Sequence, residues 1–169
     1  MTVLDNALLD SVCAAAAASP RRRKNHNLHA SDEAPVHRLL NAVQPDSYIA
    51  PHRHLDPAKD ETFIVLRGLM GLLIFDDAGN IIEKIKVGAD DTAGTADKAA
   101  NGALGALGAD IPAGTWHTSF ALVPDTVIFE VKAGPYRPLS EAERAPWAPM
   151  ENAPEAAAQL ADWQKLFFG

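Results

Sequence analysis

Tyr48-Ile-Ala-Pro-His-Arg-His54, a six-residue loop, and then Glu61-Thr-Phe-Ile-Val-Leu-Arg-Gly68 form the stretch on which the fold turns. Thr62 to Leu66 is β-branched and aromatic and reads as a strand that Gly68 closes. Tyr48 to His54 reads as another strand, interrupted by Pro51. On a strand, residues i and i+2 point to one face, so His52 and His54 present two imidazoles side by side. That pair alone is weak, because six histidines in 169 residues produce roughly 0.2 such pairs by chance. Its plain alternative is two exposed strand histidines. Two further elements add the weight: Glu61 at the head of the next strand, and Pro112-Ala-Gly-Thr-Trp-His117 much further along the chain.

Outward from this stretch, short strands and turns dominate. Val36 to Val43, Met70 to Phe75, Ile81 to Val87, Ala109 to Ile111, Thr118 to Leu122 and Thr126 to Lys132 read as strands. Asp76 to Asn80 reads as a hairpin turn. Asn25-His-Asn-Leu-His29 is polar and fits neither helix nor strand. Residues 88–108 are rich in Gly, Ala, Asp and Thr and read as a long flexible loop. A helix is expected from Val3 to Ala18, ended by Pro20. Another is expected near the C-terminus, where Ala156, Leu160, Trp163 and Phe167 recur at helical spacing. The organisation expected is one domain: a helix and basic link over 1–24, a barrel over 25–138, and an extension with a terminal helix over 139–169. Many short strands favour a sandwich or closed barrel.

Bulk composition narrows the function. The hydrophobic fraction of 47% supports a real core, and the formal net charge is −7. An acidic chain is a poor partner for nucleic acid. The one basic run, Arg21 to Lys24, reads as a solvated link. Cys13 is the single cysteine, so no internal disulfide is expected, and it reads as a small apolar filler. No run approaches the roughly 18 apolar residues of a membrane span. Asp5 and Asp10 near the N-terminus are the reverse of a signal peptide's basic start, so a cytoplasmic location is expected.

Three imidazoles and one carboxylate suit a divalent transition metal ion. The pattern His52-x-His54, loop, Glu61, six residues, Gly68 resembles the first motif of the cupin superfamily, and Pro112-x-Gly114-x-x-His117 resembles the second. The resemblance implies a mainly β chain, a single jelly-roll (double-stranded β-helix) barrel, in which His52, His54, Glu61 and His117 converge on one ion. Asp46 stands where the family usually has Gly, and the loop before Glu61 is longer than usual, which leaves Asp60 a rival carboxylate.

A closer likeness runs through Arg-Lys-Asn-His-Asn-Leu-His at 23–29, Tyr-Ile-Ala-Pro-His-Arg-His at 48–54, Ile-Pro-Ala-Gly-Thr-Trp-His-Thr at 111–118 and Phe-Glu-Val-Lys-Ala-Gly-Pro-Tyr at 129–136. These are similar to the WbuC family of cupin-fold metalloproteins, associated with bacterial surface-polysaccharide gene clusters. The likeness implies one Fe, Zn, Mn or Ni ion, a sugar-like or anionic small ligand, and a homodimer. It leaves three functions open. They are a metal-dependent isomerase or epimerase on a small carbohydrate or nucleotide-sugar precursor, a non-haem-iron oxygenase, and a non-catalytic sugar-binding or sensing module. Candidate ligand contacts are His26, His29, Arg38 and Lys132. The two histidines read equally well as a solvated loop. Lys132 shares a strand face with Glu130, and either could point into the barrel or out to solvent. His37, Trp116, Tyr136 and Trp147 read as ordinary strand or packing residues.

Overall fold

The computed structural model describes residues 1–55, 57–88 and 106–168. The loop expected at 88–108 therefore lies almost wholly outside the described residues. Helix α1 (Asn6–Ala18) is followed by eight strands: β1 (Arg23–Asn27), β2 (Val36–Val43), β3 (Glu61–Arg67), β4 (Met70–Phe75), β5 (Ile81–Val87), β6 (Gly108–Ile111), β7 (Trp116–Ala121) and β8 (Thr126–Ala133). A short 3₁₀ turn at Glu141–Glu143 and helix α2 (Ala156–Lys165) complete the chain. Asp5 caps α1, its carboxylate accepting from the Leu8 amide at 2.9 Å. This satisfies one of the orphan donors of the first turn.

Two antiparallel sheets face each other, with strand orders β1-β2-β8-β3-β6 and β5-β4-β7. Three apolar layers follow from strand alternation. Between the sheets lie Val43, Phe63, Val65, Met70, Leu72 and Ile128. Leu40, Ala42 and Val127 point the other way and are covered by Leu9, Val12, Cys13 and Ala16 of α1. Behind the smaller sheet, Phe75, Trp116 and Phe120 pack against Leu160, Trp163 and Phe167 of the C-terminal extension. The expected mainly β barrel with a helix at each end is what the chain forms.

Two local readings change. Arg23–Asn27 is a strand, paired with β2 from Arg23↔Val43 to Asn27↔Leu39. Its residues show no apolar alternation, so its place comes from backbone pairing at a sheet edge. Conversely, Tyr48 to His54 is not a regular strand. It makes isolated bridges only, at His52 with His117 and with Arg144. Pro51 has no amide hydrogen to donate to a ladder.

Candidate metal centre

The segment carrying His52 and His54 is held from both sides. On one edge, the His52 amide donates to the His117 carbonyl at 3.0 Å and the His117 amide returns to His52 at 2.9 Å. On the other, the Arg53 amide donates to the Glu143 carbonyl at 3.0 Å and the Ala145 amide to the Pro51 carbonyl at 3.1 Å. The Glu143 carboxylate accepts from the Leu55 amide at 2.8 Å. Its other oxygen accepts from the Ser140 amide and hydroxyl, each at 2.8 Å. Glu143 is only 3% exposed, so this buried carboxylate clamps the segment through backbone donors. Arg53, between the two histidines, points outward. Its guanidinium lies 4.2 Å over the Trp116 ring and 3.5 Å from Asp77.

Alternation then turns His52 and His54 toward His117 and Glu61. Among the described residues, these four form the group whose donor atoms lie close enough to hold a metal ion, all within 4.8 Å of one another. The ring centroids are 4.5 Å apart for His52 and His117, 5.1 Å for His52 and His54, and 5.7 Å for His54 and His117.

The protonation pattern fits a cation. His117 Nδ1 lies 2.9 Å from the Thr115 carbonyl, and His52 Nδ1 lies 3.1 Å from the Ala50 carbonyl. A carbonyl only accepts, so each Nδ1 carries the proton and each Nε2 keeps a free lone pair. His117 Nε2 is buried with no hydrogen-bond partner. An orphaned buried acceptor is costly, and a cation would satisfy it. Two donors each about 2.1 Å from one ion stand at most about 4.2 Å apart, so a small inward shift of the side chains would close the group. The residues present therefore fit a divalent ion.

Asp60 and Glu61 separate cleanly. The Asp60 carboxylate accepts from the Ala113 amide at 2.9 Å and braces the Pro112–His117 turn. Glu61 opens β3 and turns inward, its Oε2 3.0 Å from His54 Nε2 and 3.0 Å from Lys132 Nζ. Lys132 Nζ also lies 2.5 Å from Glu130. Burial holds His52 down to about 3, helped by the neighbouring His117, and burial lowers His117 too. Both therefore stay neutral. Burial would raise Glu61, but Lys132 and the His54 hydrogen bond outweigh it, and its carboxyl sits well below the usual range. Burial and the charge of Glu61 raise Glu130.

These directions set an acid sensitivity. A buried neutral histidine favours the fold fully above its unfolded value of about 6.5. That stabilisation is lost as pH falls below it, for His52 down to about 3. Glu61 adds to the loss below its ordinary range, since its folded value is depressed. Glu130 opposes it, being more stable in the fold when protonated. The metal-free protein is expected to lose several degrees of Tm between pH 7 and pH 5. Thermal unfolding monitored by circular dichroism would show it. A Tm flat from pH 7 to 5 would contradict the burial of neutral histidines.

The other candidate ligand contacts scatter. Lys132 stands beside the group as the register partner of Glu61. His29 is 9% exposed and stacks on His37 at 4.0 Å, with Nδ1 against the Arg38 backbone. Arg38 is exposed on the face of β2 opposite His37 and reaches the Leu28 carbonyl at 3.3 Å. His26 pairs with Leu40, so it lies on the α1 side of the sheet. The structure does not bring His26 or Arg38 to the four donors. It adds Glu143, which no sequence pattern marks as part of the site. A cavity of about 490 Å³ is lined by Pro57, Pro135, Arg137, Pro138, Ser140 and Glu143; none of the four donors lines it.

Comparison with known proteins agrees on the fold. A family profile described as "Domain of unknown function (DUF6016)" matches residues 4–87. No curated protein matches the chain. Among solved structures, BH2720 from Bacillus halodurans is similar at 16% identity and a TM-score of 0.50, over 85% of this chain and 89% of its own. KdgF from Halomonas sp. is similar at 16% identity and a TM-score of 0.46, over 71% of this chain and 84% of its own. The cupin domain of Cnp3 from Schizosaccharomyces pombe is similar at 9% identity and a TM-score of 0.44, over 66% of this chain and 61% of its own. The chain has a barrel of two facing antiparallel sheets with a helix at each end. The likeness to BH2720 speaks to architecture alone, and the four-residue group speaks to a metal. Among the described residues, no helix is long and apolar enough to cross a membrane.

Proposed function

We propose that this chain is a cupin metalloprotein holding one divalent ion through His52, His54, Glu61 and His117. The reaction proposed is isomerisation or epimerisation of a small carbohydrate or nucleotide-sugar precursor. The orphaned Nε2 of His117, buried beside an Nε2 of His52 that is likewise set as a free lone pair, and within reach of Glu61, carries the metal reading. A bound ion would act as a Lewis acid on a carbonyl or hydroxyl oxygen of the ligand. The chain's own residues then have distinct tasks. His52 and His117 are locked in one tautomer by backbone carbonyls. Glu143 fixes the strap that carries His52 and His54. Lys132 and Glu130 form a buried pair beside Glu61 that can hold or pass a proton.

The likeness of residues 23–29, 48–54, 111–118 and 129–136 to the WbuC family supports a setting in surface-polysaccharide metabolism. A barrel over 25–138 flanked by its two extensions, working as one cytoplasmic domain, belongs to the same reading. So does a homodimer, for which the exposed Ile64, Leu66 and Leu107 offer an apolar strip. The test is deuterium exchange. The metal-loaded protein is incubated in D₂O with nucleotide sugars and sugar acids and followed by proton NMR. One class should lose a C–H signal next to its carbonyl, and Glu61→Gln should abolish the exchange. Exchange in no compound, or exchange undiminished in Glu61→Gln, would contradict a proton-transfer isomerase.

A further inference from the structure

We infer that Lys132 is an anion anchor: with an ion in the site, its ammonium and the ion together hold the carboxylate of a small ligand. This rests on the proposed metal site and adds the ligand's chemistry to it.

One oxygen of Glu61 is shared. Its Oε2 accepts from His54 Nε2 and from Lys132 Nζ, each at 3.0 Å. The same carboxylate belongs to the group that would hold the ion. A divalent ion and an ammonium on one carboxylate repel each other. In a site this enclosed, that repulsion is screened far less than in water. Lys132 has a second partner ready, Glu130 at 2.5 Å. When an ion takes Glu61, the ammonium therefore stays with Glu130 and gives up Glu61.

Charge then sets what else must arrive. An imidazole that ligates an ion does so as a neutral donor, and Glu61 and Glu130 are the acids in contact with Lys132. With both acids ionised, a divalent ion and Lys132 leave a surplus of one positive charge. Buried surplus charge is costly unless it is paired. A monoanion removes the surplus. A carboxylate suits the geometry, because it places two oxygens side by side, one for each cation.

Access agrees with this role. The side chain of Lys132 is 21% exposed, against 11% for Glu61, 8% for His54 and 6% for Glu130. Lys132 is thus the solvent-side member of its network. His37 is its register partner on β2, and Lys59 lies within reach of its charge. A second ammonium, that of Lys59, thus stands near this side of the site, in a chain whose net charge is −7.

Ion and anion are thereby linked. If an anion pairs with both Lys132 and the ion, each must tighten the other's binding by the same factor. Without an anion, Lys132 competes with the ion for Glu61 and weakens its hold. The experiment titrates the metal-free full chain with Co²⁺ and follows the visible absorption bands. Lactate is the carboxylate probe, and propane-1,2-diol is its uncharged counterpart. In the wild type, lactate should tighten Co²⁺ binding at least about fivefold and the diol should do nothing. Lys132→Met should bind Co²⁺ about tenfold more tightly without lactate and lose the lactate effect. Lys132→Arg should keep it.

Wild type that takes up no Co²⁺ would overturn the metal reading itself. Wild type that binds Co²⁺ with equal effects of lactate and diol would overturn the anion anchor alone. So would Lys132→Met with weaker Co²⁺ binding, or with the lactate effect intact. Far-ultraviolet circular dichroism confirms that the variants are folded, and the wild-type comparison needs no variant.

Discussion

His117→Ala and Glu61→Gln should each lower the affinity for a divalent ion by at least about a hundredfold, while Asp60→Asn should leave it within about threefold. The contrast arises from where each group points. His117 presents a buried, unpartnered Nε2 into the group. Glu61 presents an oxygen already in contact with one of the imidazoles. Asp60, one residue earlier, spends its carboxylate on the Ala113 amide. Competition with a coloured chelator measures all three. Asp60→Asn losing as much affinity as Glu61→Gln would contradict the separation of their roles. A full loss in Asp60→Asn with Glu61→Gln unaffected would contradict the inward placement of Glu61.

Gly68→Ala is expected to damage the fold heavily for so small a change. Gly68 has φ +79°, a conformation that L side chains rarely adopt. A Cβ there would stand 2.9 Å from the Thr126 Cα and closer still to its hydroxyl. Thr126 cannot readily move, because its hydroxyl donates to the Val123 carbonyl at 2.8 Å and accepts from the Leu69 amide at 3.2 Å. Strain and clash together are worth about 3 kcal/mol or more. At this chain length that corresponds to a Tm lower by about 10 °C. Gly114 has the same φ of +79°, but its nearest neighbour would be a Leu55 methyl at 3.7 Å. Gly114→Ala is therefore expected to cost only the backbone strain, about 1 to 2 kcal/mol. Equal losses at the two glycines would show that packing against Thr126 is not what distinguishes them.

Much of this centre is legible in the sequence because it depends on local spacing. Two histidines at i and i+2, and a carboxylate heading a β-branched strand, declare their faces through alternation alone. The glycine that closes that strand has the positive φ its position demands. The hidden features depend on distant pairing. β1 is polar along its whole length, so no periodicity marks it; only its register against β2 makes it a strand. The same register shows that His26 shares the Leu40 face, while Asn25 and Asn27 share the inner one. The Tyr48 to His54 segment looks like a strand, but Pro51 removes a donor and leaves one bridging residue. Glu143 clamps Leu55 from 88 positions away, and no local pattern signals a carboxylate that works on a remote backbone amide. Glu130 and Lys132 do share a strand face, as alternation requires. That the face is the one holding Glu61 depends on the pairing of β8 with β3.

The metal content of the protein tests the central claim most directly. The full chain is purified without chelator from its native host, and bound metals are counted by plasma mass spectrometry against protein concentration. The expected result is about one divalent transition metal ion per chain, falling to near zero in a His52→Ala/His117→Ala variant that remains folded. No metal in the wild type, together with no uptake when Fe²⁺, Mn²⁺, Ni²⁺ and Zn²⁺ are offered in turn, would contradict it.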